Sequence, residues 1–223
     1  MVDAENQLPD ASSDGLVPKA VVSRLSLYLR ELQHLIRDGH ETTSSTQLGS
    51  RLGVTDAQIR KDLAYFGQFG YPGIGYRCEE LVGQIRKILG TDHDWPVAIV
   101  GLGNLGTALL GHRGFSQKGF RVVAGFDIDP NKIGTQIHSV PIFDLQQLSD
   151  TVQSEAIRLA ILAVPAEVAQ EVADDLVAAG IHGIMNFTPV TISLPQSVSI
   201  VAVDLAIELE QLSFAVVNSR QNA

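Results

Sequence analysis

Residues 95–106 read WPVAIVGLGNLG: a short apolar run, three glycines spaced G-x-G-x-x-G, and then a helical run whose pattern predicts an opening at Thr107. A dinucleotide-binding turn needs that order. The first glycine bends the chain, the second lets backbone approach a pyrophosphate, and the third lets helix pack on strand. Gly101, Leu102, Gly103, Asn104, Leu105 and Gly106 are therefore the expected phosphate cradle at a helix N-terminus. A strand-to-helix turn that binds nothing can show the same glycines, so the residues beyond the turn must separate the two. A second apolar run, 122–126, ends in Asp127, about 21 positions beyond Gly106, close to the spacing of a ribose-binding carboxylate. A carboxylate there accepts hydrogen bonds from both adenosine ribose hydroxyls and repels a 2′-phosphate. Ile128 and Asp129 follow it, not an arginine, which favours NAD(H) over NADP(H).

Beyond Asp127 the pattern alternates: a strand at 137–143, a helix at 144–154, a strand at 159–164, a helix at 166–179, and strands at 183–187 and 198–203. Such alternation predicts a parallel sheet covered on both faces, a doubly wound α/β domain over 94–203. Ligands lie at the carboxyl ends of its strands, which makes Val164 and Pro165, with Asn186, Phe187, Thr188 and Pro189, the expected nicotinamide side of the crevice. The last helix, 204–218, is apolar nearly all round, with Leu205, Ile207, Leu209, Leu212, Phe214, Val216 and Val217. A helix greasy on every side needs two covers. Its own domain can supply one and a second subunit the other, so a homodimer is expected.

The front of the chain, 16–90, reads differently. Residues 18–39 carry Val21, Leu25, Tyr28, Leu29, Leu32, Leu35 and Ile36 at helical spacing, with Pro18 suited to the first turn and Gly39 to the exit. A short helix follows the 42–45 cluster TTSS and carries Leu48 and Leu52. A third begins at Thr55, where Thr55 and Gln58 form a capping-box pattern, and sets Ile59, Leu63 and Phe66 on one face. Two short helices joined at Gly53 and Val54 spell helix-turn-helix. Arg60, Lys61 and Tyr65 fall off the buried face and are available to a major groove, where arginine can grip guanine bidentately; an ordinary solvated basic patch is the plain alternative. Residues 67–76, GQFGYPGIGY, read as a hairpin wing. Ser44 and Ser45 at the second helix and Tyr71 in the wing complete the candidate DNA contacts. A further amphipathic helix spans 79–89, and 90–94 is the expected linker.

Net charge is −9 over 223 residues, which at face value disfavours a nucleic-acid partner, yet the charge is unevenly placed. Residues 16–90 hold ten Lys/Arg against seven Asp/Glu, and residues 91–223 hold six against fourteen. The polar, acidic residues 1–15 are expected to be a disordered tail, neither signal peptide nor anchor. One cysteine, Cys78, excludes an intrachain disulfide, and a cytoplasmic protein with no membrane partner is expected. The six histidines show no metal spacing and no partnered dyad. With the two domains accounted for, only the terminal helix remains, too little for a substrate domain. No catalytic or metal-ligating residues are therefore assigned, and the nucleotide is expected to be sensed, not turned over. A small NAD-dependent oxidoreductase is the alternative, but an enzyme has no use for Arg60 and Lys61 on an exposed helix.

A winged helix-turn-helix in front, an NAD fold behind and a terminal apolar helix together resemble the Rex family of redox-sensing transcriptional repressors. The carrying stretches are SRLSLYLREL (23–32), TSSTQLG (43–49), QIRKDLAYFG (58–67), GIGY (73–76), IVGLGNLGTAL (99–109), GFDIDPNKIG (125–134), NFTPV (186–190) and VDLAIELEQLSFAVVN (203–218). The resemblance implies a homodimer that binds an inverted-repeat operator when NADH is scarce and leaves it when NADH draws the subunits together, derepressing genes for fermentation or respiration. It implies that the terminal helix, with Leu205, is swapped between subunits, wedged between the partner's two domains. It also implies that Arg60 and Lys61 read the operator, that Gly101 to Gly106 and Asp127 hold NADH or NAD+, and that Arg30 and Asp204 belong to a charge network that re-pairs with cofactor state. Two positions depart from the family pattern. His112 stands where some members place a tyrosine in that network, which would let pH sensitivity enter there, and Pro72 stands where many carry a basic wing residue.

Overall fold

The structure, a computed structural model, describes residues 17–221; the expected tail at 1–15 lies outside the described residues. The chain divides into two compact units, one ending at His93 and one beginning at Asp94.

The first unit contains α1 (Lys19–Arg37), β1 (Thr42–Thr43), α2 (Ser45–Leu52), α3 (Asp56–Ala64), β2 (Tyr76–Arg77) and α4 (Cys78–Leu89). The apolar stripe of α1 forms its core: Leu25, Tyr28, Leu32 and Leu35 are buried against Leu48 of α2, Ile59 and Leu63 of α3, and Leu81 and Ile85 of α4. The reciprocal capping box falls at Ser44 and Gln47, which starts α2. At Thr55 only half the expected box forms, since the Thr55 hydroxyl accepts from Gln58 N–H while the Gln58 amide reaches Asp62 instead. A left-handed Gly53 ends α2. Inside α2, a Cβ on Gly49 would lie 2.5 Å from the Val54 carbonyl oxygen, so the tight helix-turn-helix angle depends on its absence. The wing is short. Tyr71 and Gly75 exchange backbone hydrogen bonds at 2.7 and 3.0 Å around Pro72, Gly73 and Ile74, and β2 then pairs antiparallel with β1.

The second unit contains β3 (Trp95–Val100), α5 (Asn104–Leu110), α6 (Arg113–Ser116), β4 (Phe120–Asp127), β5 (Gln136–Ile137), β6 (Val140–Asp144), α7 (Leu148–Ser154), β7 (Leu159–Leu162), α8 (Ala169–Ala179), β8 (Gly183–Asn186), β9 (Ser199–Ala202) and α9 (Leu205–Gln221). Sheet order is β5-β6-β4-β3-β7-β8-β9. Without the edge strand β5 this is the 3-2-1-4-5-6 order of the Rossmann fold, all parallel, with its switch point between β3 and β7. The strand expected over 137–143 is instead a hairpin: His138 and Ser139, both at positive φ, turn the chain so that β5 runs antiparallel to β6. Neither residue is a glycine or asparagine, so the turn carried no sequence signal. The sheet is also unevenly covered. No helix joins β8 to β9, and an apolar cleft of about 460 Å³ lies open over Val97, Leu159, Ile161, Met185 and Val201, with Phe115 of α6 at its side.

Candidate functional site

The turn after β3 shows why each glycine is there. Gly101 has φ +88°, and a Cβ on it would lie 2.5 Å from the Ala163 carbonyl oxygen beyond β7, the neighbouring switch-point strand. A Cβ on Gly106 would lie 1.9 Å from the Gly101 carbonyl oxygen, so α5 closes onto its own turn only with hydrogen there. Gly103 differs: nothing lies within 4 Å of where its Cβ would be. That open space is what close approach of a phosphate requires. Gly103 is the N-cap of α5, which starts at Asn104 and not at Thr107, and no side chain caps it. The leading amides of the helix are thus left without a side-chain partner.

At the end of β4, Asp127 faces this turn. Its Oδ2 accepts from Leu102 N–H at 2.8 Å and from Lys132 Nζ at 3.0 Å, and its Oδ1 accepts from Asp129 N–H at 2.9 Å. Burial pushes its carboxyl up, but those bonds and the Lys132 charge outweigh it and hold the group below the usual carboxylate range. A cleft of about 610 Å³ joins Gly101, Gly103 and Asp127 with Ile128, Lys132 and Val164, a size usual for small-molecule and cofactor sites. Asn104, Leu105 and Pro165 also border it, whereas Asn186, Phe187, Thr188 and Pro189 are not among its lining residues. Asn186 and Thr188 are buried and bond each other, Asn186 Oδ1 accepting from both the Thr188 N–H and hydroxyl, while Phe187 packs into the core.

On the first unit, Arg60 and Lys61 are exposed on α3, and Tyr65 follows it. Arg60 Nη1 donates to Asp56 at 2.7 Å and to Ser45 Oγ at 3.0 Å. Ser44 Oγ accepts from Gln47 N–H, so each serine keeps its own hydroxyl proton free to donate. In the wing, the Tyr71 ring lies 4.9 Å beneath the Arg77 guanidinium and its hydroxyl bonds Glu80. Arg30 is exposed on α1, whereas Asp204 caps α9 through Ala206 and Ile207 N–H, with Leu205 exposed beside it; Arg30 and Asp204 belong to different units. His112 precedes α6 and sets its ring edge-on to Phe115, centroids 4.8 Å apart.

Two charged groups lie outside the residues expected from the sequence. Lys132, on the loop after β4, has no periodicity to mark it. Asp62 does carry a signal, since it falls on the inward face of α3, where a carboxylate needs a partner. Fully buried, it accepts from Arg24 Nε and Nη2 at 2.5 and 2.8 Å, from the Tyr28 hydroxyl at 2.7 Å and from Gln58 at 2.7 Å. Burial alone pushes its carboxyl up, yet these bonds bring it below the ordinary range. Burial and Asp62 both push the Tyr28 hydroxyl up. Cys78 is buried, which raises its thiol and keeps it inert. Among the described residues, no group of three or more His, Cys, Asp or Glu could hold a metal, and no helix is long and apolar enough to cross a membrane.

A helix-turn-helix that exposes Arg60 and Lys61 on its second helix, carried on the same chain as a Rossmann nucleotide cradle, defines a nucleotide-responsive DNA-binding protein. Family models described as "Putative DNA-binding protein N-terminus" and "CoA binding domain" match residues 16–64 and 92–190. The redox-sensing transcriptional repressor Rex of Carboxydothermus hydrogenoformans is 46% identical over 198 residues, covering 89% of this chain and 95% of the relative; that of Syntrophobacter fumaroxidans is 45% identical over 199 residues, with the same coverage. The crystal structure of RSP in complex with beta-NAD+ and operator DNA superposes with a TM-score of 0.88 at 37% identity, covering 93% of this chain and 96% of that one. RSP in complex with beta-NADH gives 0.83 at 36% identity, covering 93% and 98%. The chain belongs to the Rex family of redox-sensing transcriptional repressors.

Proposed function

We propose that this repressor binds an inverted-repeat operator as a homodimer and lets go when NADH occupies the second unit, so that transcription follows the NADH/NAD+ ratio. The observation that carries this is the open Gly103 site beside an ionised Asp127, on a chain that also exposes Arg60 and Lys61. Arg60 and Lys61 are the proposed base and phosphate readers. Tyr65, Tyr71 and the free hydroxyl protons of Ser44 and Ser45 are the proposed supporting contacts. Pro72, Gly73 and Ile74 at the wing tip supply no cation. Gly101 to Gly106, Asp127, Val164 and Pro165 are the proposed cofactor contacts; of the expected nicotinamide contacts, Phe187 and Pro189 keep exposed surface to offer, whereas Asn186 and Thr188 are buried and would act by holding that loop.

Two features support the dimer. The apolar residues of α9 are exposed around its whole circumference, Phe214 at 73% and Leu209 at 65%, and an apolar cleft lies open over β7, β8 and β9. Each is a surface that water disfavours, and a second copy can cover both. A two-fold protein then reads a two-fold operator. Ligand control needs only that NADH prefer one of two arrangements of the dimer. Arg30, Asp204, Leu205 and His112 are the proposed elements that differ between them. A reader of this kind works in the cytoplasm, alongside the chromosome. Gel-shift titration on genomic fragments tests the whole reading: NADH should release the shifted band, NAD+ should not, and coenzyme A should have no effect. Equal retention at saturating NADH and NAD+ would refute it.

A further inference from the structure

A carboxylate offers about four lone-pair positions, and the chain itself fills three of those on Asp127. Only one, on Oδ1, is left. The two hydroxyls of an adenosine ribose therefore cannot both be held by this carboxylate alone. Lys132 supplies what is missing. Its ammonium has three N–H groups, of which one goes to Asp127 and one to the Leu102 carbonyl oxygen, each at 3.0 Å. Asp129 Oδ2, at 3.8 Å, lies beyond hydrogen-bond reach. The third N–H remains, on a side chain that borders the same cleft as Gly103 and Asp127.

We propose that Lys132 is a specificity-determining residue of the nucleotide site: beside Asp127 it reads the substituent at the adenosine 2′ position, donating to a ribose hydroxyl oxygen. This rests on the cleft being a dinucleotide site. Two carboxylates, Asp127 and Asp129, surround the one ammonium, so the local charge is net negative and a 2′-phosphate is repelled. Asp127 also keeps Lys132 engaged. Removing that carboxylate leaves an ammonium beside the 2′ position, with Asp129 the carboxylate that remains within ion-pair distance of it among the described residues. Lys132 is then a phosphate partner.

Calorimetric titration of the full chain with NADH and with NADPH decides it, using Asp127→Ser, Lys132→Met and the double variant. The parent should bind NADH more tightly than NADPH. Asp127→Ser should weaken NADH and tighten NADPH, each by roughly tenfold. Lys132→Met should weaken NADH by roughly fivefold or more and give no gain for NADPH. In the double variant the NADPH gain should vanish. If that gain survives without Lys132, or if Lys132→Met binds NADH as the parent does, the assignment is overturned. Asp127→Asn, which keeps the side-chain shape, replaces Asp127→Ser should circular dichroism show the serine variant unfolded. A parent protein that binds neither nucleotide would overturn the dinucleotide site itself, a result distinct from failure of the Lys132 variants alone.

Discussion

Asp62 and Arg24 make an unequal pair: the carboxylate has no exposed side-chain surface, whereas the arginine side chain keeps 25% of its own. Arg24→Met therefore leaves a buried anion supported only by Tyr28 and Gln58, and it should cost about 3–5 kcal/mol in urea unfolding. Arg24→Met/Asp62→Asn should cost less than the single change, because no charge is then stranded. The folded-state carboxyl of Asp62 lies below its unfolded value, so its contribution is fully present above about pH 4 and is lost as pH falls through the folded value. Acid titration should accordingly separate parent from Arg24→Met/Asp62→Asn only above that range. The glycines of the cradle are equally unlike. Gly103→Ala meets open space and should change the unfolding free energy by under about 1 kcal/mol while raising the NADH Kd roughly tenfold. Gly106→Ala drives a methyl into the Gly101 carbonyl and should cost fold stability as well. Equal effects on stability would contradict these roles.

Element α3 is held to α1 by Asp62 and to the start of α2 by the Arg60 bond to Ser45. Its inward residues fix its pose, and its outward Arg60 and Lys61 stay exposed. Arg60→Ala should cost about 1–3 kcal/mol of operator binding if it contacts a base edge. Lys61→Ala should weaken binding across sequences and flatten the salt slope by about one unit if it meets phosphate. Gel shifts at several salt concentrations tell the two apart. Ser44→Ala removes the reciprocal cap of α2, worth about 0.5–2 kcal/mol of stability, and a thermal melt would register it.

At the scale of the whole molecule, α9 and the open cleft over β7, β8 and β9 present exposed apolar surface. Phe214→Glu with Leu209→Glu places charge where apolar cover is proposed. Sedimentation should then show monomer in place of dimer, and operator binding should fall with it. A variant that stays dimeric would move the subunit interface elsewhere. The two units would then have to be joined through another surface for one ligand to control the other.

Much of the architecture is legible along the chain. Residue spacing alone marks the cradle of Gly101, Gly103 and Gly106, the carboxylate at Asp127, the alternating strands and helices, and the exposed Arg60 and Lys61, because each follows from helical or strand periodicity or from a glycine's missing side chain. Folding alone could place Lys132 at Asp127 and Arg24 at Asp62, since those partners are brought together by loops and by packing of helices, not by period. Folding alone turned His138 and Ser139 into a hairpin and drew Asn186 and Thr188 into the interior. Local pattern says which way a side chain faces along its own element; what it meets there depends on which other element arrives, and that is a property of the packed structure.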